Sequence, residues 1–240
     1  MTELAYQLDS YLQSIEARVA ALDTETHAVQ LDRTVIYPGG GGQPHDTGLL
    51  ETPSQTYPVI KAKKIGGEAW HYLSPETPLP AVGNAVTVRV DWPRRYQLMR
   101  THTAMHILCG VIYRDFGAHV TGGDMDPLKG RMDFEFENLS RDLISVIEEA
   151  VNREVEAARD VRVRILPREE AFQIPDLIRT KINLLPPEIA EIRTVELVGL
   201  DLQADGGTHV ANTREVGRMR IVDYKSKGKI NKRIYVEMED

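Results

Sequence analysis

The sequence predicts an α+β chain in two parts: a small antiparallel β-barrel over residues 1–92, then an antiparallel sheet with packed helices, carrying a candidate metal site, over 93–240. Three observations predict it. The first ninety residues alternate apolar and polar positions between Pro- and Gly-containing turns, the period lengthens to that of a helix at Pro93, and alternation returns after residue 160.

In the first part EARVAALD and HAVQLD flank a polar DTET turn, and YPVIKAKK, EAWHYL and AVTVRVDW follow as further strands. Pro93 is pre-shaped for the first turn of a helix, and Leu98, Ile107, Leu108, Val111, Ile112 and Phe116 then recur at helical spacing until Gly117 ends it. SRDLISVIEEAVNREVEAARD predicts a second helix, with Leu143, Ile147, Ala150, Val151, Val155 and Ala158 as its apolar stripe and its charges as a solvated face. VRVRIL, a short helix through PREEAF, then EIRTVELV, VGRMRIVDY and KRIYVEME supply the sheet. No internal repeat or low-complexity segment interrupts this order.

A chain of 240 residues with 42% hydrophobic content has room for one large or two small domains with a real core. No apolar run reaches the length of a membrane span, and MTELAYQLDS has neither the basic nor the apolar region of a signal, so the expected location is the cytoplasm. The lone cysteine, Cys109, excludes an internal disulfide and reads as a small buried hydrophobe within MHILCGVI. A net charge of −7 excludes nucleic-acid binding by bulk positive charge. Any polyanion must meet a local patch, either Arg94, Arg95 and Arg100 or the KSKGKINKR segment with Lys225, Lys227, Lys229, Lys232 and Arg233. A solvated hairpin tip explains that second segment equally well.

Two pairs of metal-ligand residues share an i, i+4 spacing: His102 and His106 in HTAMH, and Asp205 and His209 in DGGTH. Four residues on a helix bring two side chains to one face, so both histidines can reach one ion. Alone, such a pair is as readily a surface feature or two hydrogen-bonded core histidines. The second pair follows strand-like ELVGLDLQ, and its two glycines permit a tight backbone that aims Thr208 and His209 inward. Three imidazoles with an oxygen donor suit Zn²⁺ and leave room for water or substrate.

The segment RTVIYPGGGGQPHDTGLL sets four glycines before Gln43, His45 and Asp46. It lacks the Gly-Lys-Ser/Thr ending of a phosphate-binding loop, so nucleoside triphosphate chemistry is unsupported. A flexible loop, a backbone that comes close to a bulky ligand, and one that packs tightly against the other domain all remain open.

LDRT-x-x-YPGGGGQPHDTG, the HTAMH helix, the GRMDFEFE strand and DGGTHVANTREVG, in this order over nearly the whole chain, resemble the editing domain of alanyl-tRNA synthetase and its free-standing AlaX relatives. The synthetase catalytic domain has no counterpart, so the chain looks like the longer free-standing form and aminoacylation is not expected. The resemblance implies a zinc-dependent hydrolase that acts in trans on mischarged alanine tRNA, chiefly removing serine, with glycine as a further substrate to test. Physical need matches this: a pocket for alanine excludes neither glycine nor, well, serine, so a second site must sort the products, and serine's hydroxyl gives that site a handle.

By the same resemblance His102, His106 and His209 are the zinc histidines, while Asp205 stands where the synthetase domain usually has cysteine. Asp205 then binds the metal directly, orients a water on it, or leaves a three-histidine site. Whether zinc activates that water or mainly positions and polarises substrate is open at this level. The candidate catalytic set is Gln43 and Asp46, supporting the pocket, with Thr121 in HVTGGD contacting the serine hydroxyl, though each is equally a turn residue. Arg131 and Asp133 match the family strand and receive no chemistry. A zinc peptidase is disfavoured, because Thr103 follows His102 and no HExxH glutamate exists. The alternative from another class is a zinc-stabilised tRNA-binding module without turnover.

Overall fold

A strand with one apolar face must bury it, and six strands of the amino-terminal region do so by closing on one another. The computed structural model describes residues 1–178 and 189–239. The chain forms two compact units, Met1–Tyr96 and Gln97–Asp240, so the division falls inside the first long helix rather than at its start.

The first unit holds β1 (Glu3–Leu4), β2 (Ser14–Asp23), β3 (Ala28–Leu31), β4 (Arg33–Thr34), β5 (Gly48–Glu51), β6 (Thr56–Ile65), β7 (Glu68–Leu73) and β8 (Ala85–Val90). β1 pairs in parallel with β4, and the other six close into an antiparallel barrel in the order β2-β3-β7-β6-β5-β8. Inward positions fill it: Val29, Leu31, Ile36, Leu50 and Val88 are wholly buried. β5 was not expected, being only four residues long at the end of the glycine-rich segment. It can lie against β8 because Gly48 has no side chain; a Cβ there would stand 2.2 Å from the Arg89 carbonyl oxygen. The preceding glycines, Gly39 to Gly42, all take positive φ, and Gly40 and Gln43 exchange backbone hydrogen bonds of 3.0 and 2.9 Å, so the segment is a defined reversal.

Asp46 ends that reversal inside the barrel unit, where it accepts the Tyr37 N–H at 2.7 Å and pairs with the Arg95 guanidinium. Arg95 also donates to the carbonyls of Ser10 and Val35. This corrects the expectation that Arg95 faces a nucleic acid: its side chain is wholly buried, committed to a carboxylate and two carbonyls.

The chain continues through α1 (Trp92–Phe116), β9 (Val120–Asp126), β10 (Lys129–Glu135), α2 (Arg141–Glu156), β11 (Val161–Pro167), α3 (Arg168–Ala171), β12 (Glu191–Leu197), β13 (Asp201–Ala204), β14 (Met219–Ser226) and β15 (Asn231–Met238). Among the described residues β14-β15-β10-β9 form one antiparallel sheet and β11-β12-β13 another, in keeping with the predicted α+β class. Three details differ from the sequence reading. ELVGLDLQ is not one strand: it turns at Gly199, φ +76°, between β12 and β13. α2 starts on its Ser140 cap, which accepts the Leu143 N–H, and buries Ile144 rather than Leu143; Ala158 lies past its end. α1 stops at Gly117 as expected, but Phe116 stays exposed. No helix among the described residues is long and apolar enough to cross a membrane.

Candidate metal centre

From Leu98 to Ile112 every residue of α1 is buried, so its polar side chains have no water and need internal partners. Thr101 Oγ1 donates within the protein and accepts the Leu128 N–H at 2.9 Å. His102 and His106, one turn apart, turn to the segment after β13. Asp205 is tied there by its N–H to the Arg193 carbonyl at 3.1 Å, and its Oδ1 accepts the Gly207 N–H at 2.7 Å. That side-chain turn bends the backbone across Gly206 and Gly207 so that Thr208 and His209 point inward, as expected, without positive φ at either glycine.

The result gathers one ligand atom from each of His102, His106, Asp205 and His209 within 4.8 Å of one another. Asp205 lies centrally, with Oδ2 3.4 Å from His102 Nε2 and Oδ1 3.0 Å from His209 Nε2. A tetrahedral site with bonds of about 2.1 Å sets its ligands roughly 3.4 Å apart, so the donor set fits a small divalent ion. Burial pushes His102 down to about 4, with His106 and Arg193 adding to it against Asp205. His209 is likewise held well below its usual value by burial and then by His102. Burial would raise Asp205, yet the imidazoles, His102 foremost, hold it well below the usual carboxylate range. His102 and His209 neutral beside an ionised Asp205 are the protonation states a metal requires.

Partners behind the ligands escaped the sequence reading. His106 Nδ1 lies 2.9 Å from Asp201 Oδ2, and His209 Nδ1 lies 3.2 Å from Thr103 Oγ1, which accepts the Val210 N–H at 3.3 Å. Burial lowers His106, but the hydrogen bond and charge of Asp201 reverse this and leave it raised. Arg193 donates to the Asp205 carbonyl at 2.9 Å. The only hint in the sequence is position: Thr103 sits between the two histidines and Asp201 four residues before Asp205.

Other candidates are placed differently. Gln43 is buried in the barrel unit with Asp46, while Thr121 is exposed on β9 and donates to Asn231 Oδ1 at 2.9 Å. Arg94 is partly exposed and donates to the His45 carbonyl at 3.2 Å. Lys225, Lys227 and Lys229 are exposed around the β14–β15 turn, with Lys225 5.0 Å from the centre of the Tyr235 ring. Lys232 is corrected: its Nζ is turned in, donating to the carbonyls of Gly228 and Lys229 at 2.8 and 2.9 Å. Arg100 is buried too, bonded to the Val216 carbonyl at 3.1 Å. Arg233 holds Asp133 through bonds of 2.6 and 2.8 Å, and Arg131 pairs with Asp124. Cys109 is buried as expected, accepting from Gln203 Nε2 at 3.4 Å.

Residues 4–94 match the model of class II (A) tRNA synthetases, and residues 192–235 match the second additional domain of threonyl and alanyl tRNA synthetases. The alanyl-tRNA editing protein AlaX-M of Saccharolobus solfataricus is 41% identical over 237 residues, 98% of each chain. That of Methanosarcina mazei is 37% identical over 246 aligned residues, covering 100% of this chain and 98% of its own. The alanine–tRNA ligase of Ignicoccus hospitalis is 35% identical over 227 residues, which span 92% of this chain but 24% of the ligase.

Proposed function

The chain belongs to the AlaX-M family of alanyl-tRNA editing proteins, and from that premise we propose that it clears mischarged alanine tRNA in trans, hydrolysing the ester between a wrong amino acid and the tRNA 3′ end. Serine is the chief substrate and glycine a second. The carrying observation is the cluster of three buried imidazoles and one carboxylate with donor atoms within 4.8 Å. Zinc is the ion this donor set suits, with Asp205 as a direct ligand. When bound it supplies Lewis acidity and an anchor for a polar group of the substrate.

The chain's own residues do the rest. His102, His106, Asp205 and His209 hold the ion. Gln43 and Asp46 hold the glycine-rich reversal of the barrel unit in shape, and Thr121 meets the serine hydroxyl. A site that hydrogen-bonds this hydroxyl gains that bond with serine and forgoes it with alanine. Arg94, Lys225, Lys227, Lys229 and Arg233 meet tRNA phosphates. A tRNA substrate puts this work in the cytoplasm.

Radiolabelled Ser-, Gly- and Ala-charged alanine tRNA, incubated with and without chelator, tests the reading. Serine is expected to be released fastest and alanine slowest, chelator to stop release, and His102→Ala to slow it about 100-fold or more. Stable Ser-tRNA in the presence of folded, metal-loaded protein would reject the hydrolase and leave a zinc-stabilised tRNA-binding module.

A further inference from the structure

We propose that Asp201 is a positioning residue of the metal centre, holding His106 in the one tautomer whose Nε2 can serve the ion; this rests on the metal reading above. A neutral imidazole carries a single proton, and only the form with hydrogen on Nδ1 leaves Nε2 free as a donor. Asp201 Oδ2 lies 2.9 Å from His106 Nδ1, and both side chains are buried. Water therefore does not compete for that proton. The carboxylate also makes the ring a stronger donor, as outer partners of ligating histidines do.

The surrounding contacts are arranged for this bond. Asp201 and Gln203 lie two apart on β13 and share one face. Gln203 Nε2 donates to the same Asp201 Oδ2 at 2.7 Å and to Cys109 Sγ at 3.4 Å. On α1, His106, Cys109 and Gly110 are three and four residues apart, so they share the facing side. Gly110 sets how near the two elements come: a Cβ there would stand 2.9 Å from Leu200 Cγ and 3.1 Å from Asp201 Cβ. A missing side chain on the helix thus brings the carboxylate within reach of the imidazole.

Zinc-free protein at alkaline pH, observed by long-range ¹H–¹⁵N correlation of its histidine rings, is expected to show His106 with hydrogen on Nδ1, and D201A a mixture of tautomers. Zinc titration against a chromophoric chelator is expected to show affinity weakened about 10- to 100-fold in D201A. D201N keeps an acceptor oxygen without the charge, so it should hold the tautomer and lose about 5-fold; it also serves if D201A does not fold. An unchanged tautomer in D201A, or wild-type affinity in either variant, overturns the assignment. Should the wild type bind no zinc, the metal reading fails, and the tautomer measurement alone decides whether Asp201 sets His106.

Discussion

His71 in β7 is wholly buried, with Nδ1 3.3 Å from the Val29 carbonyl and Nε2 2.8 Å from Thr34 Oγ1, and burial pushes it down to about 4. Unfolded chains bind the proton near 6.5, so between these values the unfolded state holds more protons and stability falls as pH drops. Above pH 7 the effect vanishes; at pH 5 it costs about 2 kcal/mol. His71→Asn should therefore lose less stability than wild type between pH 7 and 5 in urea titrations, whatever its stability at pH 7. Equal pH dependence would contradict the assignment. At this scale the sequence displays what local geometry dictates. His102 and His106 are legible because a helix alone puts them on one face, whereas Asp201 and Thr103 meet their histidines across 95 and 106 positions. Arg95 misleads for the same reason, since its burial is decided by Asp46, 49 positions away.

β5 shows what an element needs when its own pattern is weak. Four residues carry too little alternation to announce a strand, yet GLLE closes the barrel because its neighbours β6 and β8 supply both ladders. Gly48→Ala should lower the unfolding free energy by about 2 kcal/mol or more, since the displaced atom is a backbone carbonyl that a rotamer change cannot move. A urea midpoint equal to wild type would show that the strands separate at no cost. Longer strands were legible; EAWHYL matches β7 residue for residue, because both its faces obey the period of two. The turn at Gly199 was hidden by apolar residues on either side, which made two strands read as one. α1 conveyed its length but not its surroundings, since a helix buried on every side has no polar face to reveal which way is in.

At the scale of the molecule, fold class followed from the order of periods along the chain. A net charge of −7 rules out attraction of tRNA by bulk charge, so a local patch of cations must carry it. Replacing Lys225, Lys227 and Lys229 together by Gln should reduce the slope of log affinity against log salt by roughly 2–3 if all three contact phosphate. Binding measured across a salt series with an unchanged slope would move the contact elsewhere. The four gathered ligand side chains contain nitrogen and oxygen but no sulfur, and the sole thiol is buried at Cys109. Peroxide, which dislodges metals by turning thiolate ligands into sulfenic acids, finds no thiolate among these four side chains, so an ion held by them would not be lost by oxidation of its own ligands.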